Sequence, residues 1–171
     1  MSKANNADMM RSHEKRRAPP LAEREITITR TFDAPRALVF KAWTDAKMLA
    51  QWWGPKGFTA PVCEFDPRVG GAIRIHMPSP DGAVYPMDGK IREIVPPERL
   101  VFTNNALDNK GGRSIEGFTT MTFADDGGKT RLTLHTRGAA MIEIAVNYLQ
   151  GMEHGWSQSI DKLAGLLAPG A

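Results

Sequence analysis

The sequence predicts an α+β fold in which one curved antiparallel sheet is closed by a long C-terminal helix. Three observations predict it. From Ile142 the apolar residues recur at Ala145/Val146, Leu149, Met152, Trp156, Ile160, Leu163 and Leu167, steps of three and four that share one helix face. The middle of the chain is a series of runs rich in β-branched and aromatic residues. Each run is bounded by turn chemistry, and the strands are grouped rather than alternated with helices, which favours consecutive hairpins over a parallel sheet.

Taken in order, residues 1–23 are expected to form a flexible basic tail, with some helix around residues 7–16, ending in Pro19-Pro20. Ile26 and Ile28 alternate with Thr27, Thr29 and Thr31, the period of a strand that ends at Phe32. Asp33-Ala34-Pro35 reads as a helix start, with Asp33 or Ala34 near the cap and Pro35 in the first turn. Leu38, Val39, Ala42 and Trp43 fit a short helix, and Thr44 or Asp45 can cap a second one that Gly54-Pro55 stops. Strands are expected over 58–65, 72–77, 84–95, 99–104, 115–123 and 130–137, giving the order β-α-α-β-β-β-β-β-β-α. Between them lie Gly70-Gly71, Pro80-Asp81-Gly82, Pro96-Pro97, Gly111-Gly112 and Gly127-Gly128. The polar, glycine-bearing stretch 105–113 is expected to be a mobile loop. The last helix, Ala140 to Pro169, would run roughly 40 Å unbroken, with Glu143, Asn147, Gln150, His154, Gln158 and Asp161 on its polar side.

At 171 residues the chain fits one domain, taken as residues 24–168. The formal net charge of +3 resides in residues 1–24, where six basic side chains face three acidic ones; the rest of the chain is balanced. A specific nucleic-acid surface is therefore not expected on the folded part. No run approaches the ~20 apolar residues of a membrane span, and no secretory leader is visible, so a cytoplasmic location is expected. The single cysteine, Cys63, and four scattered histidines form no zinc pattern, and no cofactor motif occurs, so neither metal nor cofactor is expected.

Several segments resemble one known family: Ile28-Thr29-Arg30-Thr31-Phe32-Asp33-Ala34-Pro35-Arg36, Val39-Phe40-Lys41-Ala42-Trp43-Thr44-Asp45, Trp52-Trp53-Gly54-Pro55, Asp66-Pro67-Arg68-Val69-Gly70-Gly71, Pro96-Pro97-Glu98-Arg99-Leu100-Val101-Phe102-Thr103, and Gly155-Trp156 with Leu163. They resemble bacterial proteins related to the C-terminal domain of the activator of Hsp90 ATPase. The resemblance spans about residues 24–168. It implies the helix-grip fold of START-like, birch-pollen-allergen-like (SRPBCC) proteins, in which a curved sheet wraps the C-terminal helix. An apolar cavity often lies between the two.

Strand parity sorts the candidate chemistry. Ile73, Ile75 and Met77 should face the helix, turning Arg74 and His76 outward; Leu132 and Leu134 should do the same to Thr133 and His135. Glu116 and Asp88 fall on the outward parity, and Glu153 follows Met152 at the edge of the apolar stripe, where it could reach a cavity mouth. No catalytic residue is assigned. The expected ligand-binding set is apolar: Trp53, Met77, Met87, Phe102, Met121, Tyr148, Met152 and Trp156, with deformable methionines lining the site and the Tyr148 hydroxyl as a polar anchor. The first functional reading is a carrier or sensor of a small hydrophobic or amphipathic, lipid-like ligand. The second is a polyketide cyclase- or aromatase-like enzyme, which needs titratable groups inside. The third, which the family name implies, is an Hsp90-type co-chaperone. A homodimer through an exposed edge strand or the loops fits a domain of this size.

Overall fold

The computed structural model describes residues 19–169; the expected helix around residues 7–16 lies outside the described residues. The elements are β1 (Ala22–Phe32), α1 (Arg36–Thr44), α2 (Ala46–Trp52), β2 (Val62–Phe65), β3 (Ala72–Pro78), β4 (Val84–Val95), β5 (Arg99–Thr103), β6 (Asn105–Leu107), β7 (Arg113–Asp126), β8 (Lys129–Ala140), α3 (Glu143–Gln150) and α4 (Met152–Leu167). All the strands join one antiparallel sheet in the order β1-β8-β7-β5-β4-β3-β2, with β6 bridging β4 and β7. The C-terminal helices lie across its inner face. This is the helix-grip architecture.

Local chemistry explains most of the boundaries. The Asp45 carboxylate accepts from the backbone N–H of Lys47 at 2.9 Å and of Met48 at 3.1 Å, which caps α2. Pro35 is itself the extended N-cap residue of α1, and no side chain caps that helix, so neither Asp33 nor Ala34 has the expected role. Gly54 ends the helical pair with φ +102°, a conformation that a side chain would strain. The expected strand at 58–65 begins only at Val62; before it a single backbone bond, Thr59 N–H to the carbonyl of Pro78 at 3.4 Å, reaches β3, and the carbonyl of Phe58 is taken by the Lys162 ammonium. The expected loop at 105–113 begins instead with β6, a short strand that pairs Ala106 with Met87 on one side and with Ile115 on the other.

The expected single C-terminal helix is two. The apolar stripe continues across both, but Gly151 interrupts the hydrogen-bond ladder, its N–H turning back to the carbonyl of Tyr148 at 3.2 Å. The guanidinium of Arg24 secures the break. It donates to the carbonyls of Leu149 (3.0 Å) and Gln150 (2.6 Å) at the C-terminal end of α3, and to Glu153 (3.1 Å) in the first turn of α4.

The main core lies under α4 and the α1–α2 pair. Leu100, Phe102, Met121, Phe123, Leu132 and Leu134 from the sheet meet Ile160 and Leu163 from α4, with Phe40 edge-on to Phe123 at 5.2 Å. All four tryptophans join one cluster: Trp43 packs edge-on to Trp52 at 4.4 Å and stacks with Trp156 at 6.3 Å, and Trp53 meets Trp156 edge-on at 5.3 Å. The buried indole N–H of Trp43 has no acceptor among the described residues. Ala140, Ala145 and Leu149 form a smaller cluster at the other end of the sheet.

Candidate functional site

Between the two clusters the sheet and the helices do not close. The inner faces of β7 and β8 show why. Paired in register, their inward residues run Ile115/Ala140, Gly117/Gly138, Thr119/Thr136, Met121/Leu134 and Phe123/Leu132. Bulk is therefore missing over two successive pairs. Opposite them, the helices present Gly151, Gly155 and Ser159. The result is a cavity of about 270 Å³, just under the ~300–1,000 Å³ of ordinary small-molecule pockets.

Its wall carries Trp53, Met77, Met87, Tyr148, Met152 and Trp156 of the expected set, together with Ile115 and Leu149. Phe102 and Met121, 2% and 0% exposed, do not reach it. Both share the inward parity of the cavity residues, Phe102 on the rung of Thr119 and Thr136 and Met121 one pair further along, and both are packed into the filled core. Tyr148, 45% exposed, stands at the rim.

Apart from Arg137, the polar residues of the wall are uncharged, and sequence reasoning did not single them out. The Thr119 hydroxyl donates to Asn104 Oδ1 at 2.8 Å. Because its one proton is used there, the 2.7 Å contact with Thr136 must be a donation from the Thr136 hydroxyl. Thr119 and Thr136 are 0% and 1% exposed; Thr136 and Asn104 line the cavity, and the buried Thr119 joins them. It takes up the Asn104 oxygen and leaves the Asn104 amide N–H groups without a protein partner among the described residues. Gly117 makes room for that amide: a Cβ there would stand 2.2 Å from the Asn104 carbonyl oxygen and 2.8 Å from its Nδ2. Ser159, 5% exposed, likewise lines the cavity with a hydroxyl that has no partner among the described residues. The two inward glycines, at matching parity on adjacent strands, were the available sequence signal.

The ionisable candidates lie elsewhere. Asp88 accepts from Asn105 Nδ2 at 3.0 Å on the outer face, and Glu116 lies 3.6 Å from Arg113. Glu153 is held by Arg24 and does not line the cavity. Arg74 pairs with Glu64, and His135 with Glu25. His154 contacts Gln158 on the exposed side of α4. Arg137 borders the cavity through its strand, but its guanidinium reaches Glu23 and is 59% exposed. Lys162 spends its ammonium on the carbonyls of Gly54 and Phe58, both at 3.2 Å; partial burial lowers its pKa. Burial, aided by the neighbouring Glu64, pushes the half-buried Cys63 thiol up to about 11. Among the described residues, no cluster of side chains is arranged to hold a metal ion, and no helix is long and apolar enough to cross a membrane.

A curved antiparallel sheet, helices gripped across it and a cavity between them define a START-like, helix-grip protein. The family model described as Activator of Hsp90 ATPase homolog 1-like protein matches residues 33–168, and the chain belongs to that family. A crystal structure of a Chromobacterium violaceum protein is similar at 32% identity and TM-score 0.72, covering 85% of this chain and 97% of its own. A Mycobacterium smegmatis protein is similar at 25% identity and TM-score 0.71, covering 90% and 99%. A Silicibacter pomeroyi protein named AHSA1, at 24% identity and TM-score 0.70 over 84% and 97%, shares the fold. No curated protein matches the chain.

Proposed function

We propose that the chain is a binding protein, a carrier or sensor, for one small hydrophobic or amphipathic molecule held between the sheet and the C-terminal helices. The observation that carries this reading is the cavity's wall. It combines methionine, tryptophan and aliphatic surface with a few uncharged polar groups; among the described residues it has no Asp, Glu, His, Lys or Cys, and the guanidinium of its Arg137 is turned to Glu23. Such a site grips by apolar area and orients by one or two hydrogen bonds. The proposed contacts are Trp53, Met77, Met87, Tyr148, Met152 and Trp156, with Asn104 and Ser159 added. Hydrophobic ligands are common among proteins of this fold family.

A cyclase-like reaction needs a titratable group against the bound molecule, and Asp88, Glu116 and Glu153 all stand outside the wall. The co-chaperone reading rests on the family's name alone. Native against denaturing mass spectrometry, on protein purified gently from its own host, tests the proposal. A bound small-molecule mass released on denaturation is expected. Protein without such an adduct, but co-purifying with a stoichiometric chaperone, would replace the binding reading with the co-chaperone one.

A further inference from the structure

We infer that the cavity selects an uncharged molecule bearing a carbonyl-type oxygen acceptor and rejects carboxylates of the same shape. This rests on the ligand-binding reading above and deepens it.

Three facts converge. First, among the described residues the charged residue lining the cavity is Arg137, whose guanidinium is turned to Glu23, and the cations nearby are engaged too: Arg24 on the carbonyls of Leu149 and Gln150 and on Glu153, and Lys162 on those of Gly54 and Phe58. A carboxylate entering would lose its hydration and find no counter-charge. Second, the Thr136-to-Thr119-to-Asn104 relay is directional. By taking up Asn104 Oδ1 it presents the Asn104 N–H donors with no acceptor among the described residues. Third, the Ser159 hydroxyl, on a residue 5% exposed, adds a second donor from the helix side, and Gly117 keeps the space that the amide occupies. Donors lining the cavity without an acceptor among the described residues favour an acceptor oxygen, and the surrounding methionine and tryptophan surface favours a flat or short apolar body.

Three probes of nearly one shape separate the possibilities: benzylacetone (a neutral ketone), hydrocinnamate (a carboxylate) and butylbenzene (no polar group). Binding to the whole chain at pH 8 is followed by tryptophan fluorescence, since Trp53 and Trp156 line the cavity, and by calorimetry for the two soluble probes. The variant is Asn104→Asp, which keeps an oxygen for the Thr119 hydroxyl and removes the amide donors. The ketone is expected to bind at least about 10-fold more tightly than the carboxylate. Asn104→Asp is expected to weaken the ketone about 5- to 10-fold while leaving butylbenzene within about twofold. Hydrocinnamate binding as well as the ketone, or a ketone affinity indifferent to Asn104→Asp, would overturn this inference while leaving the cavity reading standing. Binding of none of the three would remove both. The comparison of probes on the unaltered protein decides the first point even if the variant folds poorly.

Discussion

Strands β7 and β8 run side by side through two regions that differ in one respect. At the filled end, Met121/Leu134 and Phe123/Leu132 meet Ile160 and Leu163 with exposures of 0–2%. At the open end, the same two strands, in the same register, carry Gly117/Gly138 and Thr119/Thr136 under Gly151, Gly155 and Ser159. Strand pairing is common to both, so on the sheet side the cavity comes from the side chains alone. The filled end supplies stability, and the open end exchanges some of it for a vacant volume with fixed donors.

The largest break in that comparison should come from the filled end. Leu134→Ala is expected to cost about 2–5 kcal/mol in a denaturant titration, because the fully buried site cannot collapse around the loss. Met152→Ala, at a partly buried position on the cavity wall, should cost less, about 1 kcal/mol; equal costs would mean that the two ends are packed alike.

The two glycines sharpen the contrast within the open end. A methyl at Gly117 meets backbone, the Asn104 carbonyl oxygen at 2.2 Å, so Gly117→Ala should destabilise by about 3 kcal/mol. A methyl at Gly138 meets only flexible side-chain ends, Leu149 Cδ2 at 2.9 Å and Met152 Sδ at 3.1 Å, so Gly138→Ala should cost about 1 kcal/mol. The same titration ranks them, and the reverse order would contradict the geometry.

Arg24→Ala tests the hinge between α3 and α4. A loss of about 1 kcal/mol is expected, with faster amide exchange confined to residues 143–150 whose last carbonyls lose their donor. Uniform exchange along both helices would argue against that role.

The smallest effect lies outside both regions. With its thiol raised from 9.0 to about 11, Cys63 should carry roughly 100-fold less thiolate at pH 8 than it would at the ordinary value. Alkylation should be correspondingly slow, should accelerate as pH rises toward 11, and should match that of the unfolded chain only once denaturant is added.

Much of this architecture was legible because periodicity reports which way a side chain faces. Ile73, Ile75, Leu132 and Leu134 are inward as their alternation implies, and the stripe from Ala145 to Leu163 does face the sheet. Periodicity is blind to position along the strand. Phe102 and Met121 have the same parity as the cavity wall, and Phe102 even shares the rung of Thr119 and Thr136; what separates both from the wall is the core packed over them. The helix break was hidden for a related reason: the apolar stripe continues through Gly151, and the group that secures the break, Arg24, lies 125 residues from Leu149. Asn104, Thr136 and Ser159 were silent because a hydroxyl or amide reads as a site only once its partners, or their absence, are known.

The central claim is that the open end is a binding cavity, and a tryptophan-fluorescence titration with butylbenzene tests it most directly when run in parallel on the unaltered chain and on Gly138→Val. The four tryptophans form one cluster that borders the cavity through Trp53 and Trp156, so an apolar probe seated there must change their emission. A saturable change in the unaltered chain, lost or weakened at least about 10-fold when Gly138→Val fills the space, is the predicted result. The same saturation curve in both proteins would place the probe elsewhere and contradict the account.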